Sequence, residues 1–190
     1  MTTEAMRLFG EKGYAATSIA QIEAAAGLAP GSGSLYKHFG SKEELLGAGL
    51  DRLLQGSGAL PARLTEASET ASSPEEVFAA AARAGLARMD QDRDLNRLLF
   101  RGLDSFPALM ARFRDEEMRR VHEAVRDILQ RLAGPTNPSG DWDAVAVVLV
   151  GAISHYWVLR DLFGNHPANV DEERLIDAAA RLAAAGVRRS

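Results

Sequence analysis

Tyr36, Lys37 and His38 stand side by side in the chain, with Ser32, Gly33 and Ser34 just before them and a second cation, Lys42, just after. A phenol, an ammonium, an imidazole and two hydroxyls are donors of the kind that grip phosphate oxygens and read base edges. Thr17 and Ser18 add hydroxyls at an expected helix start, where backbone N–H groups also favour an anion. No Asp or Glu occurs from Ala24 to Lys42, and two of the chain's three lysines fall in that window. The window therefore offers phosphates an unrepelled cationic surface. Charge by itself does not decide for nucleic acid, because acid-free windows of this length also arise by chance.

Each residue has a second reading. Thr17 is a phosphate contact or only a helix cap. Tyr36 is expected to touch a phosphate, and otherwise packs as a surface aromatic. Lys37 is expected to reach a base edge or a phosphate. His38 donates to a phosphate or caps the end of its own helix. Lys42 falls in a first helical turn, where a cation opposes the helix dipole, so a nearby phosphate is the better reason for it. Ser32, Gly33 and Ser34 are candidates for base-edge contact at the tip, while Leu35 and Phe39 read as core.

These residues need a scaffold of short helices. Helical spacing runs through the chain and alternating β-branched runs are missing. Ala5, Met6, Leu8 and Phe9 give a helix over about 3–12, ended by Gly13. Thr17 or Ser18 caps a second helix, with Ile19, Ile22 and Ala26 on its inward stripe. Gly27 suits a turn, and Pro30 fits the first position of the next short helix. Ser41 with Glu44 is a capping box that opens a longer helix to about Gln55. Two short helices joined by a glycine turn, then a third, make the layout of a helix-turn-helix, which sets a short helix in the DNA major groove.

Gly56, Ser57, Gly58 and Pro61 interrupt the third helix or loosen its end. Ser73-Pro74-Glu75-Glu76 opens another helix to about Asp90. Residues 93–104 form a short amphipathic helix. Pro107 begins a long one to about Ala133, with Leu109, Met110, Phe113, Met118, Val121, Val125, Ile128, Leu129 and Leu132 inward. Asp141 caps the most apolar helix. Ala144 to Leu159 carries no charge, but 16 residues that include His155 and Tyr156 are too short and too polar for a membrane span of about 20. The last helix, Asp171 to about Val187, has Leu175, Ile176, Ala179, Leu182 and Ala183 on a wide stripe. So apolar a penultimate helix must be covered on every side. This suggests a homodimer through helices of about 141–164 and 171–187, built as a four-helix bundle. A monomeric bundle is the alternative.

At 190 residues, 46% of them apolar, the chain is long enough for a real core, and its net charge of −4 argues against non-specific coating of nucleic acid. There is no cysteine, which excludes disulfides, thiolate metal sites and cysteine nucleophiles. The N-terminus lacks a basic run followed by an apolar run, so no signal peptide is expected and a cytoplasmic location fits. Catalytic patterns are absent. His122-Glu123 lacks a second histidine at zinc-protease spacing, and Gly31-Ser32-Gly33 is neither a nucleophile elbow nor a dinucleotide fingerprint. Neither an enzyme nor a cofactor or metal is expected.

Leu8-Phe9 with Gly13-Tyr14, Thr17-Ser18-Ile19, Ile22, Ala26-Gly27-Leu28, Leu35-Tyr36-x-His38-Phe39 and Ser41-Lys42-Glu43-x-Leu45 resemble the DNA-binding domain of the TetR family of bacterial repressors. The resemblance covers residues 1 to about 50. It implies an all-α protein with an N-terminal three-helix helix-turn-helix domain over 1–45 and a C-terminal helical ligand-binding and dimerisation domain over 46–190. It implies a ligand-responsive repressor that binds palindromic duplex DNA as a dimer and is released by a small, mainly hydrophobic effector. Phe100, Leu103, Phe106, Met110, Met118, His122, Leu149 and Tyr156 are the expected effector wall, and each also reads as ordinary core. Two departures stand out. No basic arm precedes the first helix, from which either weaker DNA binding or a natural start upstream of Met1 is expected. The segment from Leu28 to Tyr36 is two residues longer than the family's usual spacing. Two glycines inside a recognition helix would cost about 1 kcal/mol each relative to alanine, so a lengthened turn or a frayed first turn is expected. The competing classes are a helical module for hydrophobic small molecules with vestigial DNA binding, and an all-α enzyme using His122 or His155.

Overall fold

Single side chains set most helix starts in this protein. The computed structural model describes residues 1–57, 62, 66, 71–100, 106–134 and 140–188. Helix α1 is Thr2–Lys12, and it stops at Gly13, whose N–H donates to Phe9 O at 2.9 Å. Helix α2 is Ile19–Ala25. Its cap is Ser18, whose Oγ accepts from Gln21 N while Gln21 Oε1 accepts from Ser18 N. Helix α3 is Lys42–Ser57. Ser41 Oγ accepts from Glu44 N at 2.9 Å, but the Glu44 carboxylate takes the N–H of Gly40, one residue further out than a capping box requires. Helix α4, Pro74–Gln91, repeats that pattern with Ser73 Oγ, Glu76 and the N–H of Ser72.

Helices α5, Arg93–Phe100, and α6, Pro107–Arg112, follow. The chain then widens into a π-type turn, Phe113–Met118, before α7, Arg119–Ala133. The single long helix expected from Pro107 is thus interrupted, because a π turn accommodates extra backbone that a 3.6-residue period does not register. Helix α8, Trp142–Phe163, begins at Asp141, which accepts from Ala144 N at 3.0 Å. Helix α9, Glu172–Arg188, begins where Asp171 accepts from Arg174 N at 2.9 Å. No strand occurs among the described residues, and the all-α class is the one expected.

The chain forms two compact units. The first comprises residues 1–57 and 91–116. Its core joins Ala5, Met6, Leu8 and Phe9 of α1 to Ile22, Leu35, Leu45, Leu46 and Leu50, and to Leu95 and Leu98 of α5. Burying such side chains is worth about 1.5–3 kcal/mol each. The Tyr14 ring sits between Phe9 and Phe106, with centroids 5.1 and 4.6 Å away. Arg112 of α6 bridges to Asp51 of α3 at 2.8 Å.

The second unit comprises residues 58–90 and 117–190 and holds two apolar clusters. Val77 and Phe78 of α4 pack with Ile128, Leu129, Trp142, Ala146, Ala180, Ala183, Ala184 and Val187. Ala82 and Leu86 pack with Tyr156, Trp157 and Ile176. Ion pairs fasten α4 to α9, with Arg188 on Glu75 at one end and Arg83 on Glu173 towards the other. Arg160 of α8 joins Asp90 and Glu172, and Trp157 Nε1 also donates to Asp90. Leu182, on the wide stripe expected of α9, is 74% exposed in the single chain, while Ala183 and Ala184 are buried. One expectation needs correction here. Helix α8 is 22 residues long and contains an 18-residue window apolar enough to cross a membrane, so length and composition do not set it below a membrane span. Its buried side chains, Trp142, Ala146, Tyr156 and Trp157, belong to the two protein clusters.

Candidate nucleic-acid interface

The backbone between α2 and α3 is a long turn ending in one tight 3₁₀ turn, Ser34–Lys37. Of the two expected solutions to the longer segment, the structure adopts the lengthened turn. Gly31 and Gly33 have φ of 74° and 70°, a region that side-chain-bearing residues rarely adopt. Outside a helix, they incur no helix-propensity penalty. Pro30 lies within the turn instead of opening a helix, as expected of it, because positive φ at Gly31 cannot continue one.

The turn is held from beneath by a residue that sequence reasoning overlooked. Glu23, fully buried, accepts from Gly31 N at 2.7 Å through Oε2 and from Leu35 N at 3.1 Å through Oε1. A signal was present, since Glu23 follows Ile19 by four positions and so shares the inward stripe of α2 with Ile22. The acid-free window thus has a carboxylate beneath it in space, facing inward.

On the outer side, Ser32, Lys37 and His38 are exposed, and Tyr36 is 58% exposed. Ser34 and Gly33 are half-buried. The Ser32 and Ser34 hydroxyls lie 2.7 Å apart and hydrogen-bond each other. Ser18 is exposed at the start of α2. Leu35 is fully buried and Phe39 packs at the rim of the same core.

Two members of the expected set are turned inward. Thr17 is 1% exposed, and its hydroxyl donates to Gly13 O at 2.8 Å, with Leu8 O at 3.2 Å. Lys42 donates from Nζ to Tyr14 O at 2.8 Å and Thr17 O at 2.9 Å, and its ammonium lies 4.1 Å from the Tyr14 ring centroid. A cation at a helix start therefore has a structural reason here that needs no phosphate. Burial lowers the Lys42 pKa and raises that of Tyr14.

The expected effector wall is distributed. Phe106 and Met110 pack on the core of the first unit, and Phe100 is 58% exposed. Leu103 lies outside the described residues. In the second unit, Leu149 borders one cluster, Tyr156 is buried in the other, and Met118 is half-buried. The Tyr156 hydroxyl donates to Val170 O at 3.1 Å, and its ring stacks on His166. His122 Nδ1 donates to Met118 O, one helical turn back, at 2.7 Å. His155 is exposed on α8. Among the described residues, no three His, Asp or Glu side chains gather as a metal would need.

The family model of the bacterial regulatory proteins of the tetR family matches residues 2–48. The model of the C-terminal domain of CecR, an HTH-type transcriptional dual regulator, matches residues 74–189. No curated protein matches the sequence significantly. Among solved structures, the chain is similar to PfmR, a TetR family transcriptional regulator from Thermus thermophilus, at 26% identity and TM-score 0.66, covering 97% of each chain. It is similar to a TetR-like regulator from a Rhodococcus species at 22% identity and TM-score 0.71, covering 100% of this chain and 94% of that one. It is also similar to FadR from Bacillus subtilis, solved in complex with stearoyl-CoA, at 17% identity and TM-score 0.70, covering 97% and 96%. The last two likenesses carry the fold alone.

Proposed function

This chain belongs to the TetR family of bacterial regulatory proteins, and from that membership we propose that it is a cytoplasmic repressor that binds palindromic DNA as a homodimer. The observation that carries this reading is the exposed tip, where Ser32, Tyr36, Lys37 and His38 stand outward on a turn anchored from below. In this reading Tyr36, Lys37 and His38 meet phosphates or base edges, and Ser32 lies nearest the bases. Ser18, Gly33 and Ser34 line the same contact. A single tip reads too little sequence for specificity. Two tips related by a twofold axis read half-sites roughly 34 Å apart.

Helices α8 and α9 support the dimer. Val147, Val148, Leu162 and Phe163 of α8 are 57–68% exposed, and Leu182 of α9 is 74% exposed. Only 22% of the apolar window of α8 is buried within the chain. A second copy of the same two helices would cover that surface as a four-helix bundle.

The effector is a small, mainly hydrophobic molecule whose binding favours a dimer arrangement that mismatches the grooves and releases DNA. Helix α3 is the lever, since it leads out of the DNA-binding segment. The stearoyl-CoA held by the Bacillus subtilis neighbour makes a long acyl chain, carried as its CoA thioester, the first apolar group to try, although its charged CoA part makes it larger and more polar than that effector class. The experiment is a mobility-shift titration on fragments around the protein's own gene, repeated with added stearoyl-CoA. A retarded fragment released by acyl thioester is the expected result. No retarded fragment at low salt would defeat the regulator reading, and retardation indifferent to the thioester would defeat the choice of effector.

A further inference from the structure

Building on the DNA-binding reading, we propose that Glu23 is the positioning residue of the tip. Its buried carboxylate fixes the course of residues 31–35 and so sets where Ser32, Tyr36 and Lys37 meet a duplex. The case begins with burial. Glu23 has no exposed surface, and a carboxylate without water must find its hydrogen bonds inside the protein. It finds two, on amides eight and twelve residues ahead, with one oxygen for Gly31 and the other for Leu35. Ser32, Gly33 and Ser34 lie between the two anchored amides.

These amides need such a partner. In a continuous helix, Leu35 N would bond a carbonyl four residues back, but Gly31 and Gly33 at positive φ break that ladder. One carboxylate supplies acceptors to both sides of the break, and bonds to an ionised acceptor are about twice as strong as neutral ones. The main chain of Glu23 takes part as well, since its carbonyl accepts from Leu28 N at 2.8 Å and so closes α2. The same residue ends the first helix of the motif and braces the turn that follows. Neither amide donates to DNA, so Glu23 acts on the interface only through the turn.

The test separates positioning from plain stability. Wild-type protein first selects duplexes from a random-sequence library. Wild type, Glu23→Gln and Glu23→Asp are then titrated against the selected duplex and a scrambled one by fluorescence anisotropy. Amide hydrogen exchange is followed in all three proteins. Glutamine keeps the volume but turns an NH₂ towards one of the two N–H groups, and aspartate keeps the charge but loses the reach. Each variant should lose about tenfold or more in affinity for the selected duplex. Each should lose less than about threefold for the scrambled one, with the salt dependence unchanged because the phosphate contacts remain. Exchange at Gly31 and Leu35 should accelerate about tenfold while α1 and α3 stay protected. Wild-type discrimination in both variants, or unchanged exchange at those two amides, would overturn the proposal. So would loss of protection throughout the first unit in both variants, which would mark Glu23 as structural only. If wild type selects no duplex, the DNA-binding reading fails and this role falls with it. If wild type selects one and the variants discriminate equally well, only the role of Glu23 fails.

Discussion

A methyl group placed on Gly10 would lie 2.6 Å from the carbonyl oxygen of Asp94 and 2.9 Å from its Cα. Helices α1 and α5 therefore meet backbone to backbone at this point. Alanine in a helix is ordinarily better than glycine by about 1 kcal/mol. Here the obstacle is main chain, which cannot step aside as a flexible side chain can. Overpacking of this kind costs about 1–3 kcal/mol, so Gly10→Ala should lower the urea midpoint of the first unit. A variant as stable as wild type would show that α5 can shift away from α1 without loss.

Burial, helped by the Glu11 carboxylate, raises the pKa of Asp94 above the ordinary aspartate value and outweighs Arg97, Arg7 and Arg93, which lower it. The folded state thus holds that proton more tightly than the unfolded state, and ionising Asp94 weakens the fold as pH rises through the folded value. Asp94→Asn should be more stable than wild type at pH 7. The gap should close as pH falls below about 3, where the carboxyl is protonated in both states. Urea melts of both proteins across that range check the sign. A constant gap would assign the effect to something other than ionisation.

Lys37 is exposed on the tip, and its charge is not consumed by the fold in the way that of Lys42 is. Lys37→Ala should weaken binding to selected and scrambled duplexes alike and reduce the slope of log affinity against log salt by about 1 per half-site. A loss confined to the selected duplex, with the slope intact, would place Lys37 on a base edge instead.

Val148 is 68% exposed and Leu182 is 74% exposed. Neither contributes much to the core of a single chain. Val148→Asp should therefore leave the helical circular dichroism unchanged while halving the mass seen by light scattering at micromolar concentration. A variant that keeps the wild-type mass would move the interface away from this face of α8.

What could be read from the chain alone was what neighbours in sequence decide. Ser73 before Pro74, Asp141 before Trp142 and Ser18 before Ile19 each satisfy amides within one turn, so their helices begin where the residues say. The tip was legible as a tip because two glycines weaken a helix there, although Pro30 reads as opening one. What holds it was not, because the acceptors and donors come from further off. Lys42 reaches back across the whole of α2 to Tyr14, and its charge suggested an outside partner when two carbonyls were waiting inside. The π turn at Phe113–Met118 left no trace in the apolar spacing, since half-buried, exposed and buried positions mix there without a clear apolar stripe. The packing of α5 on α1 joins segments far apart in the chain, and periodicity names a buried face without naming what buries it. The effector wall stayed undecided for the same reason, as Tyr156 has the composition of a ligand contact and is used as core.

Charges button α4 to α9 at their rims, Glu75 with Arg188 and Arg83 with Glu173, while the middle of the seam is apolar. Fasteners of that sort, out in solvent, contribute little and slacken in brine. Acid slackens one of them as well, because Arg83 holds the Glu173 carboxyl below its usual range and protonation releases it. The second unit should therefore fray from its rims inward, and a salt ladder meant to count phosphate contacts would tug at this seam too.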